Sequence, residues 1–513
     1  MNERFGDRVV TAAEMRKMES DFMEEHGAPS ILLMEHAALA VTEQVSFGNR
    51  VLLLVGAGKN GGDAVATGRL LLSKGIRCDF MTFYYGEGCE ELALQWELLR
   101  SYGFPYDIFD MFSNPPEYSN YDLIIDGIFG IGLNRPVNAD ICKIFERINR
   151  MAKRPRVVAI DVPSGVDATC GKVFEGALKA DVTVTFSYPK SGLLLYPGRK
   201  YVGKLVISNI GLPENDDIPE YVTFDSISDC NIPAREMDGN KGNFGRISLV
   251  AGSSGMTGAP CLCAKAMYRS GVGLVKVFST KDALNALSQY CPEAIGYCVD
   301  NDFDEDNNLF EGFYNVIVIG PGLGTDSKAE HLLDLAIQYG KRLVLDADAL
   351  NILSARLDRI SMETERRLVL LNDWLPSETI ITPHPGEMSR LLNIPVAELK
   401  ADPIVWTKMI RKYCEFIWVW KDSCSIVVSE RGYYLNRSGN EAMGTAGSGD
   451  VLAGICGAFA AADWSMAQAA SAAVFVHGLA GDYCKEHLGS HATMAGDIID
   501  AIGPVLKGEV SIS

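Results

Sequence analysis

Short apolar runs that stop at a glycine-rich loop recur along this chain, and nothing else in it restricts the fold as much. Val51-Leu52-Leu53-Leu54-Val55 ends in Gly56-Ala57-Gly58-Lys59-Asn60-Gly61-Gly62-Asp63, with a helical pattern from Ala64 to Lys74 behind it. A continuous apolar run this short reads as a strand buried on both faces, as in a parallel sheet. Tyr121 to Asp126 runs into Gly127 to Pro136, and Val157 to Asp161 runs into Val162-Pro163-Ser164-Gly165, on the same plan. Strand, loop and helix in repetition predict an α/β chain with polar groups gathered where parallel strands end.

The rhythm pauses once. Lys204 to Ser208 reads as a last strand, Gly211-Leu212-Pro213 breaks it, and the acidic Glu214-Asn215-Asp216-Asp217 follows. It restarts at Ile247 to Val250 before Ala251 to Pro260, then at Val316 to Ile319 before Gly320-Pro321-Gly322-Leu323-Gly324, and again at Leu343 to Leu350 and Ile380 to Glu387. Two doubly wound α/β domains are expected, 1–222 and 235–513, each a three-layer sandwich and the first Rossmann-like. The 513 residues, 47% of them apolar, suffice for two such cores. Ahead of the first strand, Ala12 to about Val45 carries apolar residues at helical spacing and reads as a core helix.

A formal net charge of -19 argues against nucleic acid or an anionic membrane surface as the main partner. Loops and helix ends bind phosphate whatever the global charge. The 13 cysteines are scattered without a CxxC pair, which suits a reducing, cytoplasmic setting. No secretory signal or membrane span is expected, and His487 and His491 read as loop residues.

Gly439 to Gly454 packs small residues into a loop that opens an apolar helix and sets Asp450 at its mouth. Free N–H groups and the helix dipole at such a start suit a phosphate. A carboxylate beside that phosphate is placed to take a proton from an attacking hydroxyl or to accept a phosphoryl group. The competing reading is a glycine turn capped by an aspartate. In the first domain, Gly56 to Gly61 satisfies GxGxxG, and Asp79 lies at a ribose-binding distance. Parallel strands also bring Asn60, Asp63, Asp126, Asp161 and Ser164 towards one crevice, where several acids need a cation or many N–H donors. Helix capping is the alternative for Asp126 and Asp161.

Lys59 to Asp63, Asp126 to Pro136 and Asp161 to Gly165 resemble the epimerase half of the NAD(P)H-hydrate repair enzymes. The resemblance implies potassium held by Asn60, Asp126 and Ser164. It implies the hydrated dinucleotide on Lys59, Asn60, Gly61, Gly62 and Asp63 and on Gly130, Ile131, Gly132, Leu133, Asn134, Arg135 and Pro136. Asp161 then contacts the substrate as a catalytic group. Ala57, Lys59 and Ala64 replace the family's Pro, Asn and Gly, and Ile131 replaces a Thr.

From Lys241 to Asp450 the motifs resemble the dehydratase partner of that epimerase, a branch of the ribokinase-like fold. That implies ADP or ATP as co-substrate, with magnesium, and phosphorylation of the hydrated nicotinamide's hydroxyl before phosphate leaves. The substrate positions are Ala259, Gly322, His384 and the catalytic Asp450. The nucleotide positions are Lys421, Asp422, Ser423, Cys424, Ser425 and the loop to Gly449. Asp422 replaces a glycine and would set a negative charge near the nucleotide unless it points away, and Ala446 replaces another glycine. NADHX and NADPHX are the implied substrates and a homo-oligomer the implied assembly. A small-molecule kinase fused to a dinucleotide-binding domain is the alternative enzyme, and a dinucleotide sensor the alternative outside enzymes.

Overall fold

The computed structural model describes residues 6–46, 49–111, 113–213, 219–300, 309–310, 312–462 and 464–512. The chain divides into two compact units, Arg8–Pro219 and Glu220–Ser513, with Asp7 counted in the second. Its first eight strands are β1 (Asp7–Val9), β2 (Arg50–Val55), β3 (Arg77–Thr82), β4 (Ile108–Asp110), β5 (Leu123–Gly127), β6 (Arg156–Ile160), β7 (Val182–Phe186) and β8 (Lys204–Ser208).

In the first unit the sheet runs β4-β3-β2-β5-β6-β7-β8, every pair parallel. Counted from β2 this is the strand order of a dinucleotide-binding sheet, and the order reverses between β2 and β5. Successive β2 side chains face opposite cores. Val51, Leu53 and Val55 join the cluster of Met15, Leu33, Val65 and Trp96, while Leu52 and Leu54 join Ile141, Phe145 and Ile148. Helices on both faces make the three layers.

Two expectations are corrected here. The single helix from Ala12 to Val45 is two, Ala12–His26 and Ser30–Thr42, because Gly27 takes φ 61 at the first C-terminus and Pro29 precedes the second. The helix after β2 starts at Lys59 rather than Ala64, so Asn60 and Asp63 lie in its first turns.

The second unit adds β9 (Tyr221–Thr223), β10 (Arg246–Val250), β11 (Leu274–Ser279), β12 (Ile295–Cys298), β13 (Val316–Ile319), β14 (Leu343–Leu345), β15 (Thr379–Ile381), β16 (Ile417–Trp420), β17 (Ile426–Ser429) and β18 (Gly432–Leu435). Its sheet runs β1-β9-β18-β17-β16-β15-β14-β13-β10-β11-β12. From β16 to β12 all pairs are parallel, and the order reverses between β13 and β10. The helix Ser448–Ala460 is buried almost throughout, and its glycines permit the contact. A Cβ on Gly454 would lie 2.5 Å from the Cys263 carbonyl oxygen, and one on Gly457 2.5 Å from Val318 Cγ2.

The expected limits of 222 and 235 both differ from the observed division, because β9 belongs to the second sheet. Tyr221 and Val222 pair with Tyr433 and Tyr434, Thr223 Oγ1 donates to the Leu435 carbonyl at 2.8 Å, and Phe224 is fully buried. The acidic stretch 214–217 lies outside the described residues. His487, expected in a loop, closes the helix Met466–Leu488, with Nδ1 2.8 Å from the Tyr483 carbonyl oxygen. No helix among the described residues is long and apolar enough to cross a membrane.

Candidate active sites

In the first unit the loops after β2 and β5 meet at the reversal of strand order. A Cβ on Gly56 would sit 2.0 Å from the Ile128 carbonyl oxygen, and one on Gly61 1.9 Å from that of Gly56, so both glycines are required by contact. Gly58 caps the helix Lys59–Ser73 without a side chain, and with Gly61 N and Gly62 N donating to the Gly58 carbonyl, the N–H groups of Lys59 and Asn60 are left to a ligand. Asn60 turns its side chain to the second loop, where a Cβ on Gly130 would meet Asn60 Oδ1 at 3.1 Å. The buried Asn60 amide nitrogen has no hydrogen-bond partner among the described residues.

Asp126 and Ser164 are fully buried and joined. Ser164 donates through N to Asp126 Oδ2 at 2.8 Å and through Oγ to Oδ1 at 2.6 Å, and Phe129 N donates to Ser164 Oγ at 2.9 Å. Burial pushes the Asp126 carboxyl up to about 6 against these hydrogen bonds, and no basic side chain pairs with it among the described residues. Asp126 and Ser164 are thus joined, and Asn60 reaches the same loop at Gly130, which gathers oxygen-bearing side chains around a buried acid.

Asp161 lies beside them with φ 64, a left-handed conformation that few non-glycine residues adopt. Its Oδ1 accepts from Lys190 Nζ at 2.7 Å and Thr185 Oγ1 at 3.0 Å. Burial first, then the charge of Asp161, raises the proton affinity of Glu19 and of Asp63. The loop from Gly130 to Pro136 lies near the surface, with Leu133 buried and Arg135 exposed. Lys59 Nζ is 3.2 Å from Glu91 Oε1. Asp79 is not free for a ribose: it accepts from Arg50 at 3.0 Å, Tyr121 Oη at 2.9 Å and Asp107 N at 3.1 Å.

In the second unit the reactive groups come from the carboxyl ends of adjacent strands. Lys421, after β16, sends Nζ 2.6 Å to Oδ1 of Asp346, which follows β14, and Thr382 Oγ1 donates to the same oxygen at 2.7 Å. Burial alone would lower the proton affinity of Lys421, but Asp346 and Glu387 outweigh it and raise it. Across from them the helix Ser448–Ala460 begins at Gly447, φ 87, with no side chain capping it. A Cβ on Gly449 would lie 3.6 Å from Lys421 Nζ, so the glycine loop and the lysine share one space. Burial, then the charge of Asp346, pushes the Asp450 carboxyl up to about 6, with Lys421 opposing.

His384 caps the helix Pro385–Leu392. Its Nδ1 accepts from Gly386 N at 3.0 Å, which assigns the proton to Nε2, 3.4 Å from Glu387 Oε1. Burial raises Glu387 to about 7, and burial with Lys421 and Arg390 lowers His384. Ala259 and Gly322 face each other at the reversal between β10 and β13, where a Cβ on Gly322 would meet that of Ala259 at 3.1 Å. Asp422 points away to Lys400, with Oδ2 2.9 Å from Nζ. Ser423 is exposed, while Cys424 is buried and lies 3.3 Å from the Asn436 carbonyl oxygen. Ala446 has no left-handed φ, so the glycine it replaces is not needed for backbone freedom.

Sequence reasoning missed Glu19, Lys190 and the Asp346–Lys421 pair. A lysine directly after the buried strand β7, in Tyr188-Pro189-Lys190, was the available signal for the second of these.

A family model described as NAD(P)H-hydrate dehydratase matches residues 247–504, and one described as YjeF-related protein N-terminus matches 30–192. A bifunctional NAD(P)H-hydrate repair enzyme of Moorella thermoacetica is 32% identical over 97% of this chain and 96% of its own length. A protein of the same description from Dictyoglomus turgidum is 31% identical over 98% and 99%. Among solved structures, the ADP/ATP-dependent NAD(P)H-hydrate dehydratase from Bacillus subtilis, co-crystallised with ATP and magnesium, is 25% identical, covers 55% of this chain and 96% of its own, and has a TM-score of 0.46. With two family models in succession and relatives matched nearly end to end, the chain belongs to the family of bifunctional NAD(P)H-hydrate repair enzymes.

Proposed function

We propose that the first unit interconverts the (R) and (S) epimers of NADHX and NADPHX, and that the second dehydrates the (S) epimer at the expense of ADP or ATP. The observation that carries the second half is Asp450, a half-buried carboxylate in the first turn of a helix with no side-chain cap, with Lys421 beside that helix start. The hydrated nicotinamide bears its hydroxyl on a carbon bonded to the ring nitrogen. Hydroxide is a poor leaving group and phosphate a good one. Asp450 takes the hydroxyl proton as the oxygen attacks the terminal phosphorus of the nucleotide, and the N–H groups at the helix start hold the transferred phosphoryl group. The ring nitrogen's lone pair then expels phosphate, and loss of a ring proton restores the reduced nicotinamide.

In this reading Lys421, Asp422, Ser423, Cys424, Ser425 and Gly449 hold the nucleotide, and Ala259, Gly322 and His384 hold the hydrate. Magnesium accompanies the nucleotide phosphates and neutralises their charge. In the first unit Lys59 to Asp63 and Gly130 to Pro136 bind the dinucleotide, Asn60, Asp126 and Ser164 hold potassium, and Asp161 passes the substrate's hydroxyl proton to the ring nitrogen as their shared carbon's C–N bond opens to an aldehyde, then reverses the transfer when the ring closes on the other face. A homo-oligomer in the cytoplasm is the setting we propose.

The test is to give mixed epimers of NADHX to the full chain and follow the reduced-nicotinamide absorbance. With ADP or ATP present both epimers should be consumed. No recovery with either nucleotide, or a stable phosphorylated product, would overturn the proposal.

A further inference from the structure

Lys190 follows β7 in the turn Tyr188-Pro189-Lys190, and its side chain is 1% exposed. An ammonium group is costly to bury and persists only where its protons are matched. Here all three are. Nζ donates to Asp161 Oδ1 at 2.7 Å, to Thr185 Oγ1 at 3.1 Å and to the Phe186 carbonyl at 3.0 Å. The acceptors come from the exits of two neighbouring strands, β6 and β7, so the ammonium group ties them together.

Asp161 needs such a tie. Its left-handed backbone is unfavourable for an aspartate and persists only where surrounding contacts over-determine it. Asp161 N donates to the Val184 carbonyl at 2.8 Å, which fixes the backbone. Thr185 and Lys190 both bond Oδ1, and Oδ2 takes no protein hydrogen bond among the described residues. Burial and then the charge of Asp161 raise the proton affinity of Glu19, on the helix Ala12–His26, and of Asp63, on Lys59–Ser73.

We infer that Lys190 is the positioning residue of the epimerase site: with Thr185 it holds Oδ1 of Asp161 and so presents Oδ2 as the oxygen that meets the substrate hydroxyl. The inference rests on the epimerase reading of the first unit and adds the group that aims its acid.

The test is Lys190→Met in the full chain, which removes the charge and keeps the side chain's length. Epimerisation should lose about 100-fold in kcat with KM nearly unchanged, since misaiming a catalytic group by about 1 Å costs that much. Dehydration of (S)-NADHX in the same preparation should be unaffected. Thr185→Val, which loses one of the two bonds to Oδ1, should show a smaller fall with the same split, and it decides the matter if the methionine variant does not fold. A loss that appears in KM instead, or parental kcat in either folded variant, would overturn the inference. A parent chain that dehydrates but never epimerises is a different result: it would sink the reading of the first unit and this inference with it.

Discussion

Lys421 gives its ammonium group to Asp346 at 2.6 Å rather than to Asp450. An ion pair with Asp450 would have stabilised its carboxylate and left it a weak base. Committed to Asp346, the lysine opposes only in part the burial that raises Asp450 to about 6, and a group with that proton affinity is matched to deprotonating an alcohol near neutral pH. The same lysine remains beside Gly449, where the phosphate is proposed to lie.

Asp450→Asn keeps the side chain's shape while removing its basicity. Dehydration should fall about 10²- to 10⁴-fold, on the order of 3 to 5 kcal/mol of barrier. Nucleotide binding should change little, and epimerisation in the first unit not at all. Rates with saturating nucleotide decide it: near-parental turnover in a folded variant would rule Asp450 out as the base.

The same substitution should raise stability, with a definite pH dependence. A group whose proton affinity is higher folded than unfolded contributes stability below its unfolded pKa and loses it as pH rises through the folded value. For Asp450 that window runs from the ordinary carboxylate value of 3.8 to about 6. Asp450→Asn should therefore melt above the parent at pH 8, with the gap closing towards pH 4. The parent's dehydration rate should fall as pH drops through about 6, where the base becomes protonated. A melting difference that widens on acidification would show that burial does not disfavour the Asp450 charge.

Asp126→Ala removes the buried acid that the proposed potassium balances. Epimerisation should weaken and become indifferent to exchange of potassium for sodium, whereas the parent should slow on that exchange. If the parent ignores the cation as well, the oxygen cluster of Asn60, Asp126 and Ser164 is structural.

Lys400 neutralises Asp422 at the edge of the proposed nucleotide loop, with the two side chains 47% and 24% exposed. Lys400→Ala should raise the nucleotide KM by about 2- to 10-fold, in keeping with the roughly 1 kcal/mol of a part-exposed pair, and leave kcat alone. Adding Asp422→Gly should restore the KM. Failure of the second substitution to restore it would mean that Lys400 touches the nucleotide directly.

What was legible in the sequence is what the backbone itself dictates. Gly56 and Gly61 cannot carry a side chain where the loops after β2 and β5 touch, so the site announces itself in glycine spacing. Asp450, Asp126 and Ser164 stood out because they follow such loops or buried strands. Side-chain direction was not legible. Asp79 has the right distance along the chain for a ribose, yet turns inward to Arg50 and Tyr121, and the distance cannot tell one face of a strand from the other. Asp422 looked like a repelling charge because its partner, Lys400, is 22 residues away in sequence and meets it only in the fold. Glu19 is hidden within the reading of a core helix: it lies on the same face as the buried Ala12 and Met15, where periodicity leads one to expect only apolar packing.

The short strand β9 bears on where the chain can be cut. Tyr221 stacks on Tyr433 with ring centroids 4.8 Å apart, and Tyr433 N donates to the Glu220 carbonyl at 2.8 Å. A fragment that begins at Glu220 keeps these bonds. One that begins at Asn231 strips the flank of β18 and leaves its backbone groups and two tyrosines as a template for other chains. The shorter fragment should self-associate in light scattering at concentrations where the longer one stays monodisperse, so the few residues before Asp225 serve the second unit as a built-in guard against aggregation.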